Sequence, residues 1–237
     1  ELVWEDNFDG DSLNMENWNY ETHEPGWVNN ELQEYTDSTD NIYVKDGELV
    51  LKAMKEETEN GDKYTSGKVT TQNKRDYKYG RFEARIKVPE GQGLWPAFWM
   101  MPTDESLYGS WPRCGEIDIM EQLNHDGIVY QTIHSHYKND LGFTKPVPTK
   151  TVPYNKGQFN VFGIEWTPES LTFKVNGATT LVYPNLHLAD ESVKKQWPFD
   201  TSFYLILNYA LGGAGTWPGT ITDSELPAKM EIDWVKV

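Results

Sequence analysis

Residues 81–88 alternate without exception: Phe82, Ala84, Ile86 and Val88 stand between Arg81, Glu83, Arg85 and Lys87. Side chains along an extended strand point to opposite faces in turn, so this stretch has one apolar and one charged face and reads as a half-buried β-strand. Further strands are expected at 66–72, 94–101, 115–121, 128–136, 159–166, 170–176, 203–211 and 229–237. The segments 41–44 and 48–51 flank Lys45-Asp46-Gly47, whose Asp-Gly pair is the signal of a tight hairpin. Only 186–196, around Leu186, Leu188 and Val193, reads as a short helix. Many short strands without βαβ alternation predict an all-β chain, an antiparallel sandwich or barrel. No linker, repeat or shift of composition divides it, so 1–237 reads as a single domain.

Apolar residues make up 38% of the chain, enough to bury a sizeable core. The net charge of −16 argues against nucleic acid and anionic membranes as partners, because both repel an acidic chain at long range. A neutral ligand is compatible with it. Ten Trp and thirteen Tyr are many for this length, and large amphipathic rings are what a sugar-binding cleft uses. No apolar run of the ~18 residues needed to span a membrane is present. The chain opens on Glu-Leu-Val-Trp without a signal-peptide pattern, as a cytosolic protein or a trimmed mature one would. Cys114 is the one cysteine and cannot form an internal disulfide, so cysteine usage leaves the compartment open.

The segment 115–121, Gly-Glu-Ile-Asp-Ile-Met-Glu, places three carboxylates within six residues of a mostly apolar strand. Crowded like charges are costly unless they are paired or share a proton. A solvated strand edge is the simpler alternative, but Ile117, Ile119 and Met120 between the acids speak against it. In a regular strand Glu116 and Asp118 share a face and Glu121 points the other way. One extra residue among Ile119 and Met120, a β-bulge, would return Glu121 to the face of the other two. Hydrolysing a glycosidic bond with retention needs two carboxyl groups about 5–5.5 Å apart, a nucleophile and a proton donor. At about 3.3 Å rise per residue the two Glu side chains must converge to meet that spacing. A third acid between them would raise its neighbours' affinity for protons and keep one Glu protonated near neutral pH.

This run resembles the E-x-D-x-x-E signature of glycoside hydrolase family 16, in the form found in laminarinases and related β-glucanases. Other segments agree with it: Trp27-Val28-Asn29-Asn30-Glu31-Leu32-Gln33-Glu34-Tyr35-Thr36, Tyr79-Gly80-Arg81-Phe82-Glu83-Ala84-Arg85 and Leu94-Trp95-Pro96-Ala97-Phe98-Trp99-Met100. Gly163-Ile164-Glu165-Trp166, Leu207-Asn208-Tyr209-Ala210-Leu211-Gly212-Gly213 and the closing Ile232-Asp233-Trp234-Val235-Lys236-Val237 follow in the family's order. The resemblance covers essentially the whole chain. It implies a concanavalin-like β-jelly roll of two antiparallel sheets with a cleft across the concave one, and a retaining double displacement. Glu116 is then the nucleophile, Glu121 the general acid/base and Asp118 the auxiliary acid. The expected enzyme is a monomeric, secreted or cell-surface endo-β-glucanase. Its expected substrate is a β-1,3- or mixed β-1,3/1,4-glucan, cleaved without a catalytic cofactor.

Trp95, Trp99 and Trp111 are expected to line the cleft, with core packing as the alternative for the first two. Trp217, in a Gly/Pro loop, resembles a rim residue of the non-reducing-end subsites. Asn30 and Glu31 are expected near sugar hydroxyls, or else as turn caps. Arg113 either bonds substrate or offsets the acidic charge, and His134 is expected beside the acids. Cys114 lacks an activating base in the sequence and is given no chemistry. Two rival readings stand. One is a metal-dependent cupin using His134, His136 and Asp140, although His187 lacks the context of a second motif. The other is a non-catalytic glucan-binding lectin, which would not need all three acids. The resemblance also implies a structural calcium held by the Asp233 side chain and by backbone oxygens of Gly47 and the Asn7 region.

Overall fold

A computed structural model describes all 237 residues, and nearly all of its regular structure is strand. The alternation at 81–88 becomes the strand Gly80–Lys87, with Phe82, Ala84 and Ile86 fully buried. It lies inside a ten-stranded sheet whose main order is Ala178–Pro184, Ser170–Val175, Phe159–Trp166, Gly80–Lys87, Ala228–Lys236, Glu48–Thr58, Gly61–Ser66 and Gln33–Tyr35. Two short strands complete it, Glu5–Asp6 on Ala228–Lys236 and Ile42–Lys45 on Glu48–Thr58. The hairpin expected at Asp46-Gly47 is present. Lys45 pairs with Glu48, and both turn residues have positive φ, 53° and 76°, as a two-residue primed turn requires.

A seven-stranded sheet faces this one, in the order Thr149–Pro153, Ile128–His134, Glu116–Gln122, Leu94–Pro102, Phe203–Leu211, Lys68–Thr70 and Asn19–Tyr20. The inner faces of the two sheets enclose one apolar core containing Phe82, Phe98, Phe162, Trp166, Phe173 and Phe203. All pairings are antiparallel except Gln33–Tyr35 with Gly61–Ser66. This is a jelly-roll sandwich. Burying one face of each sheet supplies the driving force, and the outer face of the smaller sheet is left free for a site.

Three expectations need correction, two of strands and one of a helix. The stretch 66–72 is not one strand but the end of Gly61–Ser66 and the whole of Lys68–Thr70, which belong to different sheets. The chain crosses between sheets at Gly67, where a Cβ would lie 2.5 Å from Ile42 Cγ1 and 3.2 Å from the Asn41 carbonyl oxygen. The expected helix shrinks to Glu191–Lys194, and the strand expected to reach residue 136 ends at His134, before a short helix His136–Asn139. Strands Thr149–Pro153 and Ala178–Pro184 were not expected. A Gly67→Ala substitution has no room, and overpacking of this kind costs about 1–3 kcal/mol. It is expected to lower the urea midpoint of unfolding without changing the m-value.

Candidate active site

Glu116–Gln122 pairs with Leu94–Pro102 on one side and Ile128–His134 on the other. Asp118 stands opposite Trp99 and Met120 opposite Phe98, so Ile119 is an extra residue against that neighbour. On the other side Asp118 pairs with Thr132 and Glu121 with Tyr130, leaving Ile119 and Met120 together opposite Gln131. This is the β-bulge that the spacing of the acids requires. Ile119 and Met120 are consecutive and both fully buried in the core, while Glu121 returns to the outer face with Glu116 and Asp118.

The three acids line a cleft of about 830 Å³ on the outer face of the smaller sheet. Asp118 is 2% exposed and lies between the two Glu side chains, within hydrogen-bond reach of both. Each Glu also has an indole donor. Trp111 Nε1 donates to Glu116 Oε1 at 3.1 Å, and Trp95 Nε1 donates to Glu121 Oε2 at 3.0 Å. His134 stands directly opposite Glu116, with Nε2 3.0 Å from Asp118 Oδ2 and 3.6 Å from Glu116 Oε2. Its Nδ1 is 3.2 Å from Lys138 Nζ and 3.0 Å from Asn139 Nδ2. The carboxylates take a donor at Nε2 and the ammonium supplies a donor to Nδ1, which defines a neutral imidazole protonated on Nε2. Burial lowers the His134 pKa and favours the same neutral form.

Burial and then mutual repulsion push all three carboxyls up. Glu116 and Asp118 lie well above the ordinary range, and Glu121 is pushed up to about 7, first by burial and then by the charge of Glu116. Such a group holds a proton on one carboxyl at neutral pH while offering an ionised oxygen on another, the pairing that acid-assisted displacement at an acetal carbon uses.

The walls place the remaining expected residues. Trp99 lines the cleft and donates to Asn208 Oδ1 at 2.6 Å, and Asn208 in turn donates to the Tyr35 hydroxyl at 3.0 Å. Trp111 and Trp217 are each 50% exposed, and Trp217 packs against Trp95 and Tyr130 at centroid distances of 5.4 and 4.9 Å. Glu31 lines the cleft, accepting from Asn29 Nδ2 and Gln33 Nε2. Asn29, not Asn30, is the residue that reaches the cleft here. Arg113 does not reach it, because its guanidinium donates to the carbonyls of Ser192 and Val193 at the end of the short helix. Sequence reasoning missed Lys68, which is buried between the rings of Trp27 and Trp99 at 5.5 and 5.3 Å and ion-paired with Glu21. It also missed Lys138. A charged residue carries no sequence signal that separates a buried cleft position from a solvated one.

The cupin reading fails on geometry. His136 Nδ1 binds Asp140 Oδ2 at 2.6 Å and His187 pairs with Glu169, so neither joins His134. Cys114 is buried and its thiol is pushed up to about 12 by that burial, which leaves it unreactive. At the expected calcium position, Asp233 is the extra residue in a second bulge, between Ile232 and Trp234. One of its oxygens accepts from Arg85 Nη1 at 2.6 Å, and the other has no such partner. Glu48, next to Gly47, has its pKa raised by burial and then by the charges of Glu231 and Asp233, so acidic oxygens gather there, while Arg85 already offsets the charge of Asp233.

Residues 29–236 match the model of "Glycosyl hydrolases family 16". The chain belongs to this family. It is 41% identical to a β-glucanase of Rhodothermus marinus over all of this chain and 84% of that protein. It is 37% identical to glucan endo-1,3-β-glucosidase A1 of Niallia circulans, again over its whole length but over only 37% of that longer protein. Among solved structures, the laminarinase of Rhodothermus marinus superimposes with a TM-score of 0.89 at 37% identity, covering 100% of this chain and 96% of that one. The endo-β-1,3-glucanase of Pyrococcus furiosus does so with 0.82 at 36% identity, covering 99% and 92%. The family member described here is a glycoside hydrolase acting on polysaccharide, and its helices include none long and apolar enough to cross a membrane. Relatives named as hydrolases, together with the complete acid set, leave the lectin reading without support.

An activity that requires protonated Glu121 falls as pH rises through about 7. The Trp95 N–H favours the ionised carboxylate, so Trp95→Phe is expected to move the alkaline limb of the kcat/KM profile to higher pH, by up to about one unit.

Proposed function

We propose that the protein is a retaining endo-β-glucanase of neutral β-1,3- or mixed β-1,3/1,4-glucans, with Glu116 as nucleophile, Glu121 as acid/base and Asp118 as auxiliary acid. The observation that carries this is the bulge at Ile119–Met120, which puts three carboxyls of one strand into one cleft. In this assignment Asp118, the most buried of the three, carries the shared proton and directs it toward Glu116, which offsets the upward push that burial and repulsion give Glu116. With the Trp111 N–H on its other side, Glu116 is left as the ionised group that attacks the anomeric carbon. Glu121 protonates the departing glycosidic oxygen and, once ionised, takes a proton from the water that releases the glycosyl group.

Charge argues for a neutral substrate. The cleft is lined by Glu21, Glu31, Asp104, Glu105, Glu116, Asp118 and Glu121, and its one lysine, Lys68, is already paired with Glu21. A sulfated or uronic-acid chain would meet repulsion along this whole surface. The indole faces of Trp27, Trp99 and Trp111 supply the flat apolar area that pyranose rings stack on. Secretion and a monomeric state complete the reading.

A panel of laminarin, mixed-linkage cereal glucan, cellulose and sulfated galactan, with sizing of the products, tests it. Oligosaccharides of intermediate length from the first two, and nothing from the last, are expected. Glu116→Gln should lose at least ~10³-fold in kcat while still binding glucan, and normal turnover by that variant would remove the assignment. We also propose that calcium binds at Asp233 in a purely structural role. Added calcium should raise the Tm by a few degrees with kcat unchanged, and Asp233→Asn should abolish that increment.

A further inference from the structure

The catalytic bulge leaves Ile119 without a register partner on either neighbouring strand, and a residue outside the cleft binds its carbonyl oxygen. Gln131 lies on the strand Ile128–His134, opposite Ile119 and Met120, and is fully buried on the inner side of the smaller sheet. Its Nε2 donates to the Ile119 carbonyl oxygen at 3.1 Å and to the Lys174 carbonyl oxygen at 3.3 Å. Its Oε1 accepts from the Thr180 hydroxyl at 2.5 Å. Lys174 and Thr180 belong to the opposite sheet. Thr180 is itself the extra residue of a bulge, since Phe173 pairs with Leu181 and Lys174 with Thr179. One amide therefore joins the bulge that carries the acids to a bulge of the facing sheet, across the core.

A buried primary amide in such a place is unfavourable unless it is hydrogen-bonded; both Nε2 hydrogens have carbonyl acceptors, and Oε1 lies against the Thr180 hydroxyl, whose one proton is shared with the Phe173 carbonyl oxygen at 3.0 Å. Hydrophobic packing cannot set the position of a peptide carbonyl along a strand, because it is non-directional; a hydrogen bond to that carbonyl can. Ile119 has no pairing partner in the register on either side.

We infer that Gln131 is a positioning residue for the reaction. By holding the Ile119 carbonyl against the facing sheet it fixes the bulge, and through the bulge the separation and direction of Glu116 and Glu121. The inference rests on the roles proposed for those two acids. It assigns Gln131 no contact with substrate.

The test compares Gln131→Met, which keeps the length and removes all three hydrogen bonds, with Ile86→Val and Ile86→Ala. The latter are core changes in the larger sheet that bracket the stability loss. All are assayed on laminarin beside Glu116→Gln at a temperature where each is folded by circular dichroism. Gln131→Met is expected to lose roughly ten- to hundredfold in kcat with KM within about twofold, as small displacements of reacting groups do. Its alkaline limb is expected at lower pH, because a Glu121 released from burial and from Glu116 regains more ordinary acidity. Thr180→Val, which frees only the far anchor, should lie between wild type and Gln131→Met. A Gln131→Met enzyme whose kcat and pH limbs match the Ile86 variants of equal Tm overturns the inference while leaving the catalytic assignment intact. Normal turnover by Glu116→Gln would instead overturn the assignment itself. Should Gln131→Met fail to fold, the kcat and pH limb of Thr180→Val against the Ile86 series decide the matter in the same way.

Discussion

One extra residue in a strand governs this molecule. Three acids spaced as Glu116, Asp118 and Glu121 cannot share a face of a regular strand, and they do so here because Ile119 and Met120 are both turned into the core. Without the bulge, Glu121 would be an unpaired carboxylate in an apolar interior, a far larger penalty than the irregularity costs. The hydrophobic demand of Ile119 and Met120 and the polar demand of Glu121 thus favour the same distortion. The fold accommodates it by placing the strand centrally in the smaller sheet, where neighbours on both sides hold the residues flanking the bulge.

The electrostatic character of the cleft follows from that placement. Three carboxyls on one small patch raise one another's proton affinity, and burial raises it further. The surroundings moderate this with directed neutral donors, the indoles of Trp95 and Trp111 and the neutral imidazole of His134. Lys138 is the nearby cation, and it approaches the acids through His134. Neutral donors orient carboxylates without fully cancelling their basicity, which suits groups that must exchange protons during turnover.

Much of this was legible in the sequence, for physical reasons that also explain the failures. The parity of Glu116, Asp118 and Glu121 implied the bulge because strand geometry allows only two faces. The alternation at 81–88 and the Asp-Gly hairpin were clear because they are local. The split at Gly67 was not, since the reason for it is the side chain of Ile42 far along the chain. The strand Thr149–Pro153 escaped notice because it lies at the sheet edge, with only Val152 buried. In the site, Trp95, Trp99 and Trp111 line the cleft, whereas Trp217 is not among its lining residues and packs against Trp95 and Tyr130. Arg113 was not placed by the sequence, because a guanidinium is satisfied equally by substrate hydroxyls or by the carbonyls of Ser192 and Val193. Gln131 gave no signal at all: its meaning depends on a carbonyl in a neighbouring strand.

The strand order of the smaller sheet has a consequence for how the enzyme can change. Leu94–Pro102, Glu116–Gln122, Ile128–His134 and Thr149–Pro153 are neighbours in space and successive in sequence. The acids, their indole donors and His134 all come from this meander or from its connections. The opposite wall, with Glu21, Trp27, Asn29, Glu31, Lys68 and Asn208, comes from distant parts of the chain. The reactive half of the cleft is therefore low in contact order and can assemble early as a unit, whereas the recognition half closes only when remote segments join it. Lineages carrying this architecture are free to exchange the recognition segments, and with them the polysaccharide, while inheriting the chemistry unaltered.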